Sequence, residues 1–155
     1  MLRMDDSVWQ AIRKHGEETY PHESCGVLIG RADGEARTVM AAVPCLNLRT
    51  DSPQTRYQID PREILRAARD ARPKGLDVVG FYHSHPDHPA RPSATDLAEA
   101  HWFGCSYVIT GVERGRADAT RSFVLIGGTE PEKHYVDEEI SIARGEGERA
   151  GSEPS

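Results

Sequence analysis

Apolar residues recur first at helical and then at strand spacing over the first third of the chain. An apolar stripe of helical period, after a capping aspartate (Asp5 or Asp6), predicts an amphipathic helix that ends at about Thr19. The apolar run at residues 25–30 predicts a buried strand, and a turn signal separates it from residues 38–46, which predict the antiparallel return strand. The chain is therefore expected to begin with a helix and a hairpin.

A second helix has a strong start signal at Asp60, Pro61 and Glu63. These residues combine a capping side chain, a proline at the first helical position and a glutamate three residues after the cap. Residues 72–75 contain a proline and a glycine, which end this helix.

The rest of the chain predicts further strands, one more helix and a polar tail. Strands are expected at residues 57–59, 76–84, 105–110 and 121–126, and a helix from Ser93 to about Trp102. The sum is a single mixed α/β domain over residues 1–143, with five to seven strands and about three helices. Residues 144–155 have almost nothing to bury, so we expect them to form a disordered tail.

Composition and charge argue against several classes of protein. The 155 residues are 37% hydrophobic and 28% charged, which is typical of a globular protein rather than a disordered one. The formal charge of −6 and the lack of a lysine/arginine block argue against a nucleic-acid partner. No apolar run has the length of a signal core or a membrane span, so we expect a cytoplasmic protein without a membrane partner. Three widely spaced cysteines are expected to be free thiols: Cys25, Cys45 and Cys105.

Two histidines one residue apart, His83 and His85, stand at the end of the predicted strand at residues 76–84. Side chains in a strand alternate between faces, so both imidazoles point to the same side while Ser84 points away. Imidazoles at this spacing can bind one ion at about 2.0–2.1 Å, the zinc–nitrogen distance. Since histidines also occur as ordinary surface or core residues, the pair alone is a weak indication of a metal site.

A proline-rich bend connects the histidines to Ser93 and Asp96, whose spacing has two interpretations. A serine with an acid three residues later is the pattern of a helix capping box. If the bend folds back, Asp96 also reaches the histidines as a third, oxygen ligand. Three protein ligands with a fourth position left to water are typical of catalytic zinc, which makes water a nucleophile near neutral pH. Ser93 could then stabilise the oxyanion, whereas spacing alone singles out no acid as the base.

Five polar residues along the chain together form one sequence motif. Glu23 precedes a predicted strand, and His83-Ser-His85 is followed by seven residues, Ser93, two residues and Asp96. This pattern resembles the JAMM motif of the MPN+ metalloproteases, and all five motif positions match. The order of elements from about residue 5 to residue 143 is similar as well, so the resemblance covers the whole predicted domain.

The resemblance implies a fold, an activity and a role for each motif residue. The implied fold is a cytidine-deaminase-like curved mixed sheet flanked by helices, and the implied cofactor is one catalytic zinc ion held by His83, His85 and Asp96. Glu23 would be the general base and acid for a zinc-activated water, and Ser93 would stabilise the oxyanion. The implied reaction is hydrolysis of a peptide or isopeptide bond after the C-terminal Gly-Gly of a ubiquitin-like protein. The short chain is most similar to small bacterial members, whose partners are ubiquitin-like sulfur carrier proteins.

Two other functions match parts of the same pattern. A non-catalytic MPN-type scaffold that binds a ubiquitin-like partner would be expected to have lost some of the five motif residues. A zinc deaminase needs a Pro-Cys-x-x-Cys pair, which this chain lacks. His22 and His88 lie near motif residues, and for both a solvent-exposed position is favoured over the role of metal ligand. The leading prediction is therefore a zinc-dependent peptidase or isopeptidase.

Overall fold

The computed structural model describes residues 1–144, which form one eight-stranded sheet with three α-helices packed on it. The elements in chain order are β1 (Leu2–Asp5), α1 (Asp6–Thr19), β2 (Cys25–Asp33), β3 (Ala36–Cys45), α2 (Pro61–Ala71), β4 (Asp77–Pro86), α3 (Ala94–Glu99), β5 (Ser106–Glu113), β6 (Arg116–Ile126), β7 (His134–Glu138) and β8 (Ile140–Ala143). A 3₁₀ turn at Arg72–Lys74 follows α2. Apart from its first residue, the tail predicted at residues 144–155 lies outside the described residues.

The first two predicted helix starts are confirmed by the side chains that cap them. The Asp5 carboxylate accepts a hydrogen bond from the Val8 N–H at 3.0 Å, so Asp5 rather than Asp6 caps α1. Asp60 caps α2 by accepting from the Arg62 N–H at 2.9 Å. Each carboxylate satisfies one of the amide groups that the first turn of a helix leaves without a partner.

Some predicted elements differ from the structure. The third helix stops before Trp102, because the backbone becomes extended at Ala100 and only six residues are helical. The strand predicted at residues 57–59 is wrong: the Gln58 N–H donates to the Asn47 side chain at 3.1 Å, and the segment is a loop. The sequence did not indicate β1, β7 or β8, since these strands have only four or five residues and the last two are largely exposed.

The order of strands in the sheet determines which distant residues meet. The order is β7-β6-β5-β4-β2-β3-β1-β8, and β4 is parallel to β5 but antiparallel to β2. The beginning of β2 therefore lies beside the end of β4, and Cys25 is the partner of His83. Glu23, two residues before Cys25, is for this reason close to both motif histidines.

Helices cover both faces of the sheet. Tyr82 belongs to the buried cluster beneath α1, whereas Phe81 belongs to the cluster beneath α2. Because strand residues alternate between faces, His83 and His85 point to the same face as Phe81. The predicted burial of this strand is confirmed, since every residue from Val79 to the end of β4 is buried.

A buried ion pair joins distant strands of the sheet. Glu138 of β7 accepts from the Arg37 guanidinium of β3 at 2.9 Å, and from the Ser106 and Ser122 hydroxyls at 2.6 and 2.8 Å. β7 forms one edge of the sheet and β3 lies near the other edge, so this contact exists because the sheet curls. The curved mixed sheet with its three helices confirms the predicted fold class.

The remaining predictions concern cysteines and membranes. Cys25 and Cys45 are buried, Cys105 is partly buried, and all three are free thiols, as predicted. Within residues 1–144, no helix has the length and the apolar character needed to cross a membrane.

Candidate metal centre

Three metal-ligating atoms converge at the end of β4. The Nε2 atoms of His83 and His85 are 3.2 Å apart, and Oδ2 of Asp96 lies 3.3 Å from the first and 3.0 Å from the second. All three side chains are buried. The structure therefore brings together the three residues that the sequence indicated as a ligand set.

The spacing of these three atoms fits a zinc ion. Tetrahedral bonds of about 2.0–2.1 Å separate any two ligand atoms by roughly 3.3–3.4 Å, close to the distances observed here. Two imidazoles and one carboxylate are a donor set that suits zinc and leaves a fourth position open. Two ring nitrogens and one carboxylate oxygen lie together in this buried site. A cation bound between them would explain this arrangement.

Burial and hydrogen bonding favour the protonation states that a cation needs. Burial alone raises the pKa of Asp96, but hydrogen bonds with His83 and His85 outweigh it and hold the pKa of this carboxyl well below its ordinary value. Burial lowers the pKa of His83, which favours the neutral imidazole that binds metals. The ligand set therefore carries a carboxylate and at least one neutral imidazole before any cation binds.

The start of α3 holds Asp96 beside the histidines. Asp96 Oδ2 accepts from the Ser93 N–H at 2.9 Å, and the Asp96 N–H donates to Ser93 Oγ at 3.0 Å, which completes a capping box. The capping interpretation of the Ser93–Asp96 spacing is thus confirmed. The same carboxylate oxygen contacts both imidazoles, so the cap and the ligand set share one atom.

The two histidine rings are oriented by different contacts. His85 Nδ1 lies 2.8 Å from the Pro89 carbonyl, which can only accept, so the proton is on Nδ1 and Nε2 is free to bind a metal. His83 Nδ1 is buried without a hydrogen-bond partner among residues 1–144. Its ring instead stacks on Tyr57, with centroids 4.4 Å apart and planes inclined by 23°. Sequence reasoning missed Tyr57, because a lone tyrosine in a loop carries no signal of a metal site.

Glu23 lies beside the ligand set, two residues before the start of β2. A carboxylate oxygen of Glu23 lies within 4.8 Å of ring nitrogens of His83 and His85. The side chain is 3% exposed, and its Oε1 makes no hydrogen bond to any described residue. Burial, reinforced by the nearby Asp96 and Glu99, raises the pKa of the Glu23 carboxyl to about 9. A cation at the ligand set would favour the ionised form of this carboxyl.

Main-chain hydrogen bonds fix Glu23 relative to β4. The Ser24 N–H donates to Ser84 Oγ at 2.8 Å, and the Ser84 N–H donates to the Ser24 carbonyl at 3.2 Å. The Glu23 N–H donates to the Pro53 carbonyl at 2.8 Å. Ser84 therefore faces away from the two histidines, as strand alternation predicts, and its hydroxyl accepts a hydrogen bond from the residue after Glu23.

The loop at residues 46–60 is organised by one side chain, that of Asn47. Its amide group donates to the carbonyls of Arg56 and Glu23 at 3.1 and 3.4 Å, and its Oδ1 accepts from two loop N–H groups at 3.0 and 3.1 Å. The loop that carries Tyr57 is thereby tied to the backbone of Glu23. Sequence reasoning also missed Asn47, since a single asparagine in a polar loop matches no recognised motif.

Ser93 lies exposed beside the ligand set. Its Oγ accepts from the Asp96 N–H, so the hydroxyl proton is still available for a hydrogen bond. No described residue accepts this proton. The hydroxyl can therefore donate to an oxyanion that forms next to the metal ligands.

Two clefts flank the ligand set. The first has a volume of about 380 Å³, and six of its ten lining residues are apolar or aromatic, namely Tyr57, Ile59, Ile64, Phe81, Trp102 and Tyr107, whereas the other four are Arg49, Gln58, Glu99 and His101. The second has a volume of about 370 Å³, and its polar lining residues include Glu23, Arg56, His85, His88, Arg91 and Ser93. We call them the apolar cleft and the polar cleft. His88 and His22 are both exposed, as predicted, and only His88 lines either of these clefts.

Comparisons with known proteins give consistent results. The family model described as prokaryotic homologs of the JAB domain matches residues 5–126. The chain is 42% identical over 104 residues to a desampylase from Haloferax volcanii, a match that covers 67% of this chain and 73% of the relative. It is 37% identical over 130 residues to a probable TtuB-protein conjugate cleaving protease from Thermus thermophilus, covering 84% and 80%. A solution structure of a protein from Desulfitobacterium hafniense has a TM-score of 0.78 and 34% identity, with 94% of both chains covered.

Proposed function

Because the chain belongs to the family of prokaryotic homologs of the JAB domain, we propose that it is a zinc-dependent peptidase or isopeptidase of the JAMM type. It is a hydrolase of peptide or isopeptide bonds, and the whole activity belongs to one domain at residues 1–143. The observation that carries the proposal is the convergence of His83, His85 and Asp96 within 3.3 Å of one another, with Glu23 buried beside them.

His83, His85 and Asp96 would hold the ion. When bound there, zinc supplies a Lewis acid that polarises the scissile carbonyl and lowers the pKa of water towards neutrality. The Pro89 carbonyl and the Tyr57 ring keep the two imidazoles in their orientation.

Glu23 moves the proton during hydrolysis. Its carboxylate takes a proton from the attacking water as the new C–O bond forms, and later delivers this proton to the leaving nitrogen as the C–N bond breaks. The Ser93 hydroxyl donates to the oxyanion of the tetrahedral intermediate, because its proton is not used by the helix cap. Burial of Glu23 next to the ligands excludes bulk water from this proton transfer.

The substrate is a ubiquitin-like sulfur carrier protein with a C-terminal Gly-Gly tail. Two relatives, named as a desampylase and as a protease that cleaves protein conjugates, support this assignment. The buried ligand set also favours such a tail, because glycines bring the scissile carbonyl to the site without a side chain in the way.

The test is to incubate the protein with a sulfur carrier extended by a short peptide beyond Gly-Gly and to measure the intact mass of the carrier. We expect a mass loss that ends at the second glycine, disappears with a chelator and returns with zinc. Cleavage that continues unchanged in the presence of chelator would contradict the proposal. Binding of the carrier without any mass change would instead indicate a non-catalytic scaffold.

A further inference from the structure

The two clefts beside the ligand set differ in their relation to the proposed chemistry. Glu23 and Ser93 line the polar cleft, whereas neither lines the apolar cleft. In the proposed function, Glu23 protonates the leaving nitrogen. In that function the departing half of the substrate would lie in the polar cleft, next to Glu23.

The polar cleft is positively charged although the whole chain has a formal charge of −6. Arg56 and Arg91 line it together with His88, and its single lining acid is Glu23. Both arginines are exposed, and within residues 1–144 neither guanidinium forms an ion pair. The apolar cleft is different, because its arginine, Arg49, is paired with an aspartate at 3.6 Å.

The backbone of both arginines is anchored near the site. The Arg56 N–H donates to the Ser52 carbonyl at 3.0 Å, and the Arg56 carbonyl accepts from the Asn47 amide at 3.1 Å. The Arg91 N–H donates at 2.8 Å to the Pro89 carbonyl, the same atom that contacts the His85 ring. The backbone at both arginines is therefore fixed, and both side chains line the polar cleft.

We propose that Arg56 and Arg91 bind the free α-carboxylate of a single amino acid that the enzyme removes from a Gly-Gly tail. In such an adduct the carboxylate is two bonds from the leaving nitrogen, within reach of guanidinium groups that line the same cleft. An isopeptide-linked lysine instead has a methylene chain at this position and no carboxylate. Guanidinium groups bind carboxylates through paired, charge-assisted hydrogen bonds, so the two arginines select the one-residue adduct over the isopeptide.

The experiment compares three substrates that share one sulfur carrier protein and the scissile Gly-Gly bond. One carries a terminal alanine as the free acid, the second carries alanine carboxamide, and the third is linked to a lysine side chain of a short peptide. kcat/KM is measured with zinc-loaded wild type, Arg56→Gln, Arg91→Gln and Arg69→Gln. Arg69 is exposed on α2 and lines neither cleft, so its variant removes the same charge elsewhere. Binding of the acid and the carboxamide to Glu23→Gln protein provides a second readout that does not depend on turnover.

We expect wild type and Arg69→Gln to prefer the acid over the carboxamide by about tenfold, the effect of one charge-assisted hydrogen bond. Each of the two cleft variants should lose most of this preference and still cleave the carboxamide at the wild-type rate. Equal kcat/KM for the acid and the carboxamide in wild type would overturn the inference. An equal loss of kcat/KM on both substrates in the two cleft variants would also overturn it, because such a loss would indicate that the arginines contact the body of the carrier. The inference rests on the proposed function: metal-dependent cleavage without acid preference refutes only the inference, whereas cleavage of none of the three substrates refutes both.

Discussion

The candidate metal centre has two halves that are held in different ways. The motif half comprises His83, His85, Ser93 and Asp96. The loop half comprises Glu23 and the loop at residues 46–60. Side-chain hydrogen bonds that share one carboxylate oxygen hold the motif half together. Main-chain hydrogen bonds, the four hydrogen bonds of the Asn47 side chain and one aromatic stack hold the loop half.

This difference separates two kinds of contribution. In the motif half, Asp96 Oδ2 is within hydrogen-bond distance of both imidazoles and of the Ser93 N–H, so a change at Asp96 removes a ligand and the support of its neighbours together. In the loop half, each contact only helps to position a group, and a second contact holds the same group in place. Changes to the proposed metal ligands should therefore abolish function, whereas changes to the residues that position Glu23 and His83 should reduce it by degrees.

Asp96→Asn should have the largest effect. Asparagine can still accept from the Ser93 N–H and complete the capping box, but it removes the anionic ligand. We therefore expect zinc affinity to fall by more than about 100-fold, a larger loss than that from changing a residue that only hydrogen-bonds to a ligand. Carrier cleavage should fall to background. Zinc per chain after dialysis is the measurement, with Asp70→Asn as the matched control, since Asp70 is exposed on α2 and lines neither cleft. Full zinc content in Asp96→Asn would show that Asp96 is not a ligand.

Ser93→Ala should lower turnover by about 10²–10³, the usual result of removing one oxyanion donor. The loss of the cap should also reduce the free energy of unfolding by about 1 kcal/mol. Ser93→Thr keeps the hydroxyl and the cap, so it should restore both quantities. If Ser93→Ala loses stability but keeps its turnover, Ser93 is only a cap.

Tyr57→Leu tests the stack on His83 and should reduce zinc affinity by about tenfold, at the low end for an outer contact of a metal ligand. Tyr57→Phe keeps the ring and should bind zinc with affinity close to that of wild type. Competition with a chromophoric chelator measures both variants. Equal zinc affinities for the leucine and phenylalanine variants would show that the stack does not orient the ligand.

Asn47→Ala should have the smallest effect on the site and a clear effect on the loop. It removes four hydrogen bonds to the loop and to Glu23, so we expect a loss of about 1–3 kcal/mol in unfolding free energy and a few-fold lower kcat. Asn47→Asp keeps the two accepted bonds and should be intermediate. Denaturant unfolding and carrier cleavage are the measurements. Unchanged stability in Asn47→Ala would contradict the role of this side chain.

The sequence predicted the motif half better than the loop half for a physical reason. His83 and His85 share a face by strand alternation, and Ser93 and Asp96 are joined by a local capping pattern, so their relation is a matter of short spacing. Glu23 meets them only because β2 and β4 pair antiparallel, a register that no local pattern encodes. The motif resemblance selected Glu23 where spacing did not.

Other parts of the fold were hidden for similar reasons. The aromatic and branched residues at 57–59 suggested a strand, but Tyr57 faces a histidine ring and Gln58 bonds to a side chain instead of a neighbouring strand. β7 and β8 are short and largely exposed, so their apolar positions do not alternate strongly enough to stand out. The buried contact of Glu138 with Arg37 depends on the curl of the sheet, which follows from the whole fold rather than from either strand.

The central claim is that Glu23 moves a proton beside a metal that other residues hold. The most direct measurement is zinc content and carrier cleavage on one sample of Glu23→Gln, compared with wild type. We predict the same zinc per chain and a cleavage rate lower by at least about 10², within the usual range for loss of a general base. Zinc loss in this variant would make Glu23 a ligand, and full cleavage with full zinc would contradict the account.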